Sequence, residues 1–202
     1  MNSKFERINL IDLGVFKTTL GSIDNKQVLA EMDSSNLQIE QKFIDGYSTE
    51  SWHTYYEDGK FPASLPECAR LYSEIENAVT DIIGKKMVIS NIWSLTLGKG
   101  ESVSLHSHKS NTHMHPMEHF SVAYYPSAPS GSSKLIFQVS WCNAMENLIS
   151  ISPEPGMLVI FNSYVHHMTN RHNSPEKRVV VSANLSPENP NTKVVPDWSA
   201  YD

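Results

Sequence analysis

The sequence predicts a mainly β protein with an α flank, its core a jelly-roll or barrel-like sandwich. Three observations carry that reading. The apolar period changes to two from about Met87, short strand-like runs then recur as far as Leu185, and turn-rich spacers separate them.

Residues 1–86 read as helix and loop packed on the core. Ser64-Leu65-Pro66-Glu67 has the form of a capping box, with Pro tolerated in a first helical turn. Leu65, Cys68, Leu71, Ile75, Val79, Ile82 and Ile83 follow at helical spacing, and Gly84 stands where a C-cap belongs. That segment is one amphipathic helix, a buttress against a sheet. Residues 87–186 form the expected core. Ile89, Asn91, Trp93, Leu95 and Leu97 alternate with their neighbours, and Gly98-Lys99-Gly100 supplies a turn. Further strand-like runs cover 102–108, 120–125, 134–140, 148–152, 157–161, 164–169 and 178–185. The Pro- and Asn-rich stretch 187–202 reads as a tail over the surface of a single domain.

Composition excludes several classes. With 202 residues and 40% hydrophobic content, one core is the natural size. No apolar stretch approaches the roughly 18–20 residues that cross a bilayer, and the first residues lack an apolar signal core. A cytoplasmic protein without a membrane partner is expected. Only Cys68 and Cys142 are present, which excludes a disulfide framework or a thiolate metal cage. The formal charge of −6 argues against nucleic acid as a partner, since phosphate binding needs a Lys/Arg excess. Oligomeric state leaves no mark in the sequence.

Nine histidines are the unusual count, and all but His53 lie from His106 to His172. Neutral imidazole is a common transition-metal ligand. Alternation places His106 and His108 on one strand face, with Val103 and Leu105 on the other. A third ligand must come from elsewhere, and His167, after the apolar run 157–161, is the best placed. A second pair, His113 and His115, competes with the first. An insertion is absorbed more cheaply in a loop after a ligand strand than inside it, which favours His106 and His108. Residues 109–119 then form an active-site lid. Arg178 follows His167 by eleven positions and shares a strand face with Val180, Ser182 and Asn184. A buried guanidinium needs an anionic partner, and a ligand carboxylate answers that need.

The order of these pieces resembles a known family. A turn glycine (Gly100) precedes His106-Ser-His108; Ser121-Val-Ala-Tyr124-Tyr125 and Pro155-Gly-Met-Leu-Val-Ile-Phe161 come next, then His167 and Arg178. The likeness covers roughly 88–185 and is to the 2-oxoglutarate/Fe(II) oxygenases of marine bacteria and their phages, a branch of the prolyl-hydroxylase-like group. It implies a double-stranded β-helix and three co-factors: Fe(II), 2-oxoglutarate as co-substrate, and O2. It further implies His106, His108 and His167 as metal ligands. Arg178 becomes the anchor for the distal carboxylate of 2-oxoglutarate, with Ser182 and Asn184 at the polar end of its strand. The reaction implied is hydroxylation of a small-molecule or peptidyl substrate, with release of succinate and CO2. One departure stands out: the acidic ligand usual in such enzymes is His108 here. Ser104 or Asn184 is expected to orient the ligand imidazoles.

Two other classes fit the same residues. A three-histidine cupin-type dioxygenase would bind its organic substrate on the metal without 2-oxoglutarate, Arg178 taking the substrate carboxylate. A non-catalytic jelly-roll binding module would use its histidines for stability alone. Individual residues have plainer readings too. Arg178 can pair with a surface carboxylate such as Glu176, Trp93, Tyr124 and Tyr125 can be core or pocket wall, and His172 can be a solvated loop residue.

Overall fold

A computed structural model describes residues 14–35, 53–54, 62–108, 119–142 and 145–188, and within them two antiparallel sheets share an apolar interior. In chain order the elements are β1 (Val15–Thr19), α1 (Asn25–Ser34), β2 (His53–Thr54), α2 (Pro66–Ile83), β3 (Met87–Leu97), β4 (Phe120–Ser127), β5 (Leu135–Cys142), β6 (Met145–Ile151), β7 (Met157–Asn162), β8 (His166–Thr169) and β9 (Arg178–Pro187). The larger sheet runs β1-β7-β4-β9-β3-β2 and the smaller β6-β5-β8.

Period two divides the larger sheet between two cores. Val122 and Tyr124 of β4, Leu158 and Ile160 of β7, and Val181 and Ala183 of β9 pack with the buried stripe of α2. Their alternates, including Ala123, Tyr125, Val159, Phe161 and Val180, turn inward to meet Leu135 and Phe137 of the smaller sheet. β7 is buried along its whole length, so its sequence is a continuous apolar run rather than an alternation. In β3 the pairing with β9 shifts between Ile89 and Asn91. An irregularity of this kind re-aims the side chains beyond it. Ile89 therefore joins the helix-side core while Leu95 and Leu97, on the same odd-numbered face in the sequence reading, face between the sheets.

The helix expected over 65–83 is α2, with Cys68, Leu71, Ile75 and Val79 as its buried face. Gly84 ends it in the left-handed region (φ 71°), donating its N–H to Thr80 O. The capping box does not form. Leu65 is the N-cap and offers no side-chain bond. The orphan N–H groups of Glu67 and Cys68 donate instead to the carboxylate of Glu31, at 3.0 and 2.8 Å. The cap is thus supplied by α1, a tertiary solution that no local motif announces. Burial pushes the Glu31 carboxyl up, but the bonds from Cys68 N, Gln27 and Glu67 N outweigh it and hold the group below its ordinary value.

Three other expectations change. Residues 15–19, read as helix and loop, form an edge strand paired along β7 from Val15↔Phe161 to Thr19↔Met157. Only Val15 of that strand is half-buried, so no alternation marks it in the sequence. The strand expected over 102–108 is reduced to a single bridge, His106↔His167. His172 is fully buried rather than solvated. Its Nε2–H donates to Glu176 O (2.7 Å), its Nδ1 accepts from Ser133 N (3.3 Å), and its backbone bonds Gly100 and Glu101. It ties three loops together. The expected lid and the tail beyond 188 lie outside the described residues, apart from His119, whose carbonyl accepts from Ser163 N. No described helix is long and apolar enough to cross a membrane.

Removing the Glu31 cap is expected to cost about 1–2 kcal/mol. Urea unfolding of Glu31→Ala at neutral pH measures it. Because the folded-state pKa is depressed, this contribution is present above the unfolded value of about 4.3 and is lost as pH falls through the folded one. The gap between wild type and variant should therefore narrow in acid.

Candidate active site

The site begins with a short backbone contact. His106 N donates to His167 O at 3.0 Å, and His167 N returns a bond to His106 O at 2.8 Å. Around this bridge the pairing slips. Val103 N–H goes to Thr169 Oγ1 at 2.8 Å, Thr169 N–H to Val103 O at 3.0 Å, and His108 N–H to Ser163 O at 2.8 Å. The segment 103–108 is thus laced against 163–169 without becoming a regular strand.

The lacing brings the rings of His106 and His167 to 4.3 Å between centroids, with His108 at 5.2 and 4.9 Å from them. One ligand nitrogen from each of the three lies within 4.8 Å of the others. Phe161 and Phe137 of the inter-sheet core wall the His167 ring, and Trp93 meets His108 edge-on at 5.2 Å. The tautomers follow from the acceptors. His106 Nδ1 faces Ser104 O at 2.8 Å and His167 Nδ1 faces Val165 O at 2.9 Å. A carbonyl oxygen only accepts, so each of these Nδ1 atoms carries the proton and each Nε2 keeps its lone pair.

Electrostatics favour the same neutral state. Burial lowers the pKa of His106, which the Ser104 carbonyl partly offsets. Burial and the neighbouring His106 bring His108 down to about 4. His167 is held well below its ordinary value, by burial first and then by the other two rings. Neutral imidazoles are the ligand form.

Arg178 opens on the same cavity as the three histidines. Its side chain is 2% exposed, which excludes pairing with the exposed Glu176. Arg178 Nη2 donates to Tyr125 Oη at 3.3 Å, and the guanidinium carbon stands 4.8 Å from the Tyr125 ring centroid. Nε and Nη1 are buried without a protein partner. Leaving buried, charged donors unpaired costs several kcal/mol. The unmet donors fit a bound carboxylate, and the three imidazole lone pairs fit a divalent metal.

The remaining expected residues separate. Ser182 lines the cavity. Asn184, expected beside it, has Oδ1 at 2.8 Å from His108 Nδ1. Ser121, which the sequence marks only as part of a strand motif, also reaches His108 Nδ1, at 2.9 Å, and its hydroxyl lies 2.8 Å from Ser163 Oγ. Ser104 contributes its backbone rather than its hydroxyl. His113 and His115 lie outside the described residues.

A jelly-roll interior in which imidazoles and an unsatisfied guanidinium share one cavity is suited to a metal beside an anionic ligand. Comparisons with known proteins point the same way. Residues 91–184 match the family described as "Putative 2OG-Fe(II) oxygenase". No curated protein sequence matches the chain. Among solved structures, HygX from Streptomyces hygroscopicus, with nickel and 2-oxoglutarate bound, is 14% identical with a TM-score of 0.63 over 87% of this chain and 83% of its own. A prolyl-4-hydroxylase from Pseudomonas putida is 11% identical at TM-score 0.62, covering 88% and 94%. The viral collagen prolyl hydroxylase of Paramecium Bursaria Chlorella virus-1, in its 2-oxoglutarate complex, is 11% identical at 0.58, covering 86% and 96%. At such identities the structural likeness establishes the double-stranded β-helix. The family match spans 94 of the 202 residues and holds His106, His108, His167 and Arg178, so the chain's similarity to 2-oxoglutarate/Fe(II) oxygenases falls on the candidate site.

The unpaired guanidinium has a stability consequence. Replacing Arg178 with methionine, similar in reach and apolar, is expected to leave the ligand-free protein as stable or up to about 4 kcal/mol more so. Thermal melts in chelator, without 2-oxoglutarate, read the difference.

Proposed function

We propose that His106, His108 and His167 hold the Fe(II) through their Nε2 atoms and that Arg178 binds the distal carboxylate of 2-oxoglutarate. The observation that carries this reading is the shared cavity: a buried guanidinium with two unmet donors opens on the space where three imidazole lone pairs meet. When bound, the metal and 2-oxoglutarate supply the oxidising chemistry, in which O2 is consumed, the keto acid becomes succinate and CO2, and an oxygen atom is transferred to the substrate.

The chain's own part is binding and exclusion. The Ser104 and Val165 carbonyls fix two of the imidazoles. Tyr125 holds Arg178 through Nη2, leaving Nε and Nη1 as unmet donors for a carboxylate. Leu95, Val122, Phe161 and Val180 keep the cavity apolar, which strengthens each charged contact and limits access of water. Three histidines give a neutral donor set, so more of the metal's charge remains to attract the keto acid than beside a carboxylate ligand.

The reaction is hydroxylation, and the substrate a small molecule or a peptidyl side chain. Support comes from the range of relatives sharing the fold: one structure of HygX holds hygromycin B, and others are prolyl hydroxylases.

Aerobic incubation with Fe(II) and 2-oxoglutarate should yield succinate slowly even without the primary substrate. His167→Ala should abolish it while leaving the far-ultraviolet spectrum intact. Arg178→Met should weaken 2-oxoglutarate binding by about 2–5 kcal/mol, roughly 30- to 5,000-fold; an unchanged affinity would remove its assigned role. The competing ligand pair is decided by comparing His106→Ala with His113→Ala. Loss of metal binding in the second and not the first would transfer the assignment to His113 and His115.

A further inference from the structure

Two of the three imidazoles are oriented by their own stretch of chain, each donating to the carbonyl two residues back. His108 has no such acceptor. The carbonyl two residues before it, His106 O, already accepts from His167 N. The His108 ring is instead held by side chains from other strands: Asn184 Oδ1, 76 positions away, and Ser121 Oγ, 13 positions away. Ser121 and Asn184 are cross-strand partners on β4 and β9, which puts both on one face of the sheet. Ser121 Oγ also stands 2.7 Å from Asn184 Oδ1 and 2.8 Å from Ser163 Oγ.

The protons in this cluster are strongly constrained. An amide oxygen only accepts, so with Oδ1 toward the ring His108 must carry its proton on Nδ1. Its Nε2 lone pair is then free on the side where His106 Nε2 lies 3.3 Å away. Turning the amide over would present its NH2 to Nδ1 and force the proton onto Nε2, into the space a metal would take. Ser121 resists that turn when its single hydroxyl proton goes to Oδ1, Ser163 then donating to Ser121 Oγ, and the ring proton approaches Oδ1 from the other side.

We infer that Asn184, keyed by Ser121 and Ser163, is a positioning residue that selects the Nδ1–H tautomer of His108 and thereby presents its Nε2 as a ligand. An uncharged amide here fills the place that carboxylates and carbonyls occupy beside many metal-bound histidines. The inference rests on the proposed role of His108 as a ligand, and the experiment separates the two.

In the metal-free protein, long-range ¹⁵N–¹H correlation spectra should show His108 as the Nδ1–H form; a predominant Nε2–H form overturns the inference without reference to any metal. Titration with Co(II) then tests the consequence. Asn184→Leu, similar in size but without an acceptor, should weaken Co(II) binding about 10- to 100-fold. Asn184→Asp keeps the acceptor and should stay within about threefold of wild type or bind more tightly. No loss in the leucine variant, or equal loss in both, overturns it. Ser121→Ala should show a smaller loss in the same direction. Should the leucine variant not fold, the tautomer of the wild-type ring still decides. His108→Ala is the control on the underlying reading: if Co(II) affinity is unchanged there, His108 is not a ligand, whatever its tautomer.

Discussion

The site depends on one backbone contact, the pair of bonds exchanged between His106 and His167. The two histidines come from segments some sixty residues apart, one irregular and the other a four-residue strand of the smaller sheet. Exchanging both N–H groups fixes their backbones face to face, and the rings follow because each is tied to the carbonyl two residues behind it. Neither ring then needs a partner from the larger sheet to point correctly. A double-sided contact between edges tolerates the slip in pairing around it, since the slip displaces flanking residues rather than the bridge.

The larger sheet supplies what the bridge cannot. It carries Arg178 and Asn184 on one face of β9 and Ser121 and Tyr125 on the same face of β4, while the intervening residues pack against α2. A slip of one residue in either strand would turn the guanidinium toward the helices and bring apolar side chains into the cavity. The apolar helix-side core is therefore part of the site's machinery, because the cost of exposing Val181, Ala183 and Leu185 maintains the register that aims Arg178 inward.

Much of this was legible in the sequence because period two reports burial directly. Most strands from Met87 to Leu185 rest on that relation, the stripe of α2 rests on the helical period, and the grouping of His106, His108, His167 and Arg178 rests on spacing together with the family resemblance. What escaped has a common physical character. β1 is an edge strand with one half-buried residue, so it has little pattern to read. The cap on α2 comes from Glu31, whose local sequence says nothing of the helix it will meet. The loop-forming neighbours of His172 predict a solvated ring, yet its contacts are to three separate loops. Ser121 and Ser163 are small hydroxyls that any strand or turn can carry, and only the approach of β4, β9 and the 163–169 segment to one another gives them a shared partner. Contacts between distant segments leave no local period.

The charge distribution ties these pieces to chemistry. The chain as a whole is acidic, with a formal charge of −6, yet the described lining of the cavity contains Arg178 and no carboxylate. A divalent metal among three neutral imidazoles would leave its full double charge in the same apolar space. A keto diacid carries two negative groups and is the complement to that pair of cationic poles. In a water-filled groove such complementarity would be worth little; between two packed sheets, where screening is weak, it is worth far more. On the proposed assignment, a neutral histidine at position 108 would change more than a ligand's identity. It would withhold a negative charge that would otherwise compete with the co-substrate for the metal, and it would transfer the task of orienting that ligand to an amide on the strand that also carries the arginine.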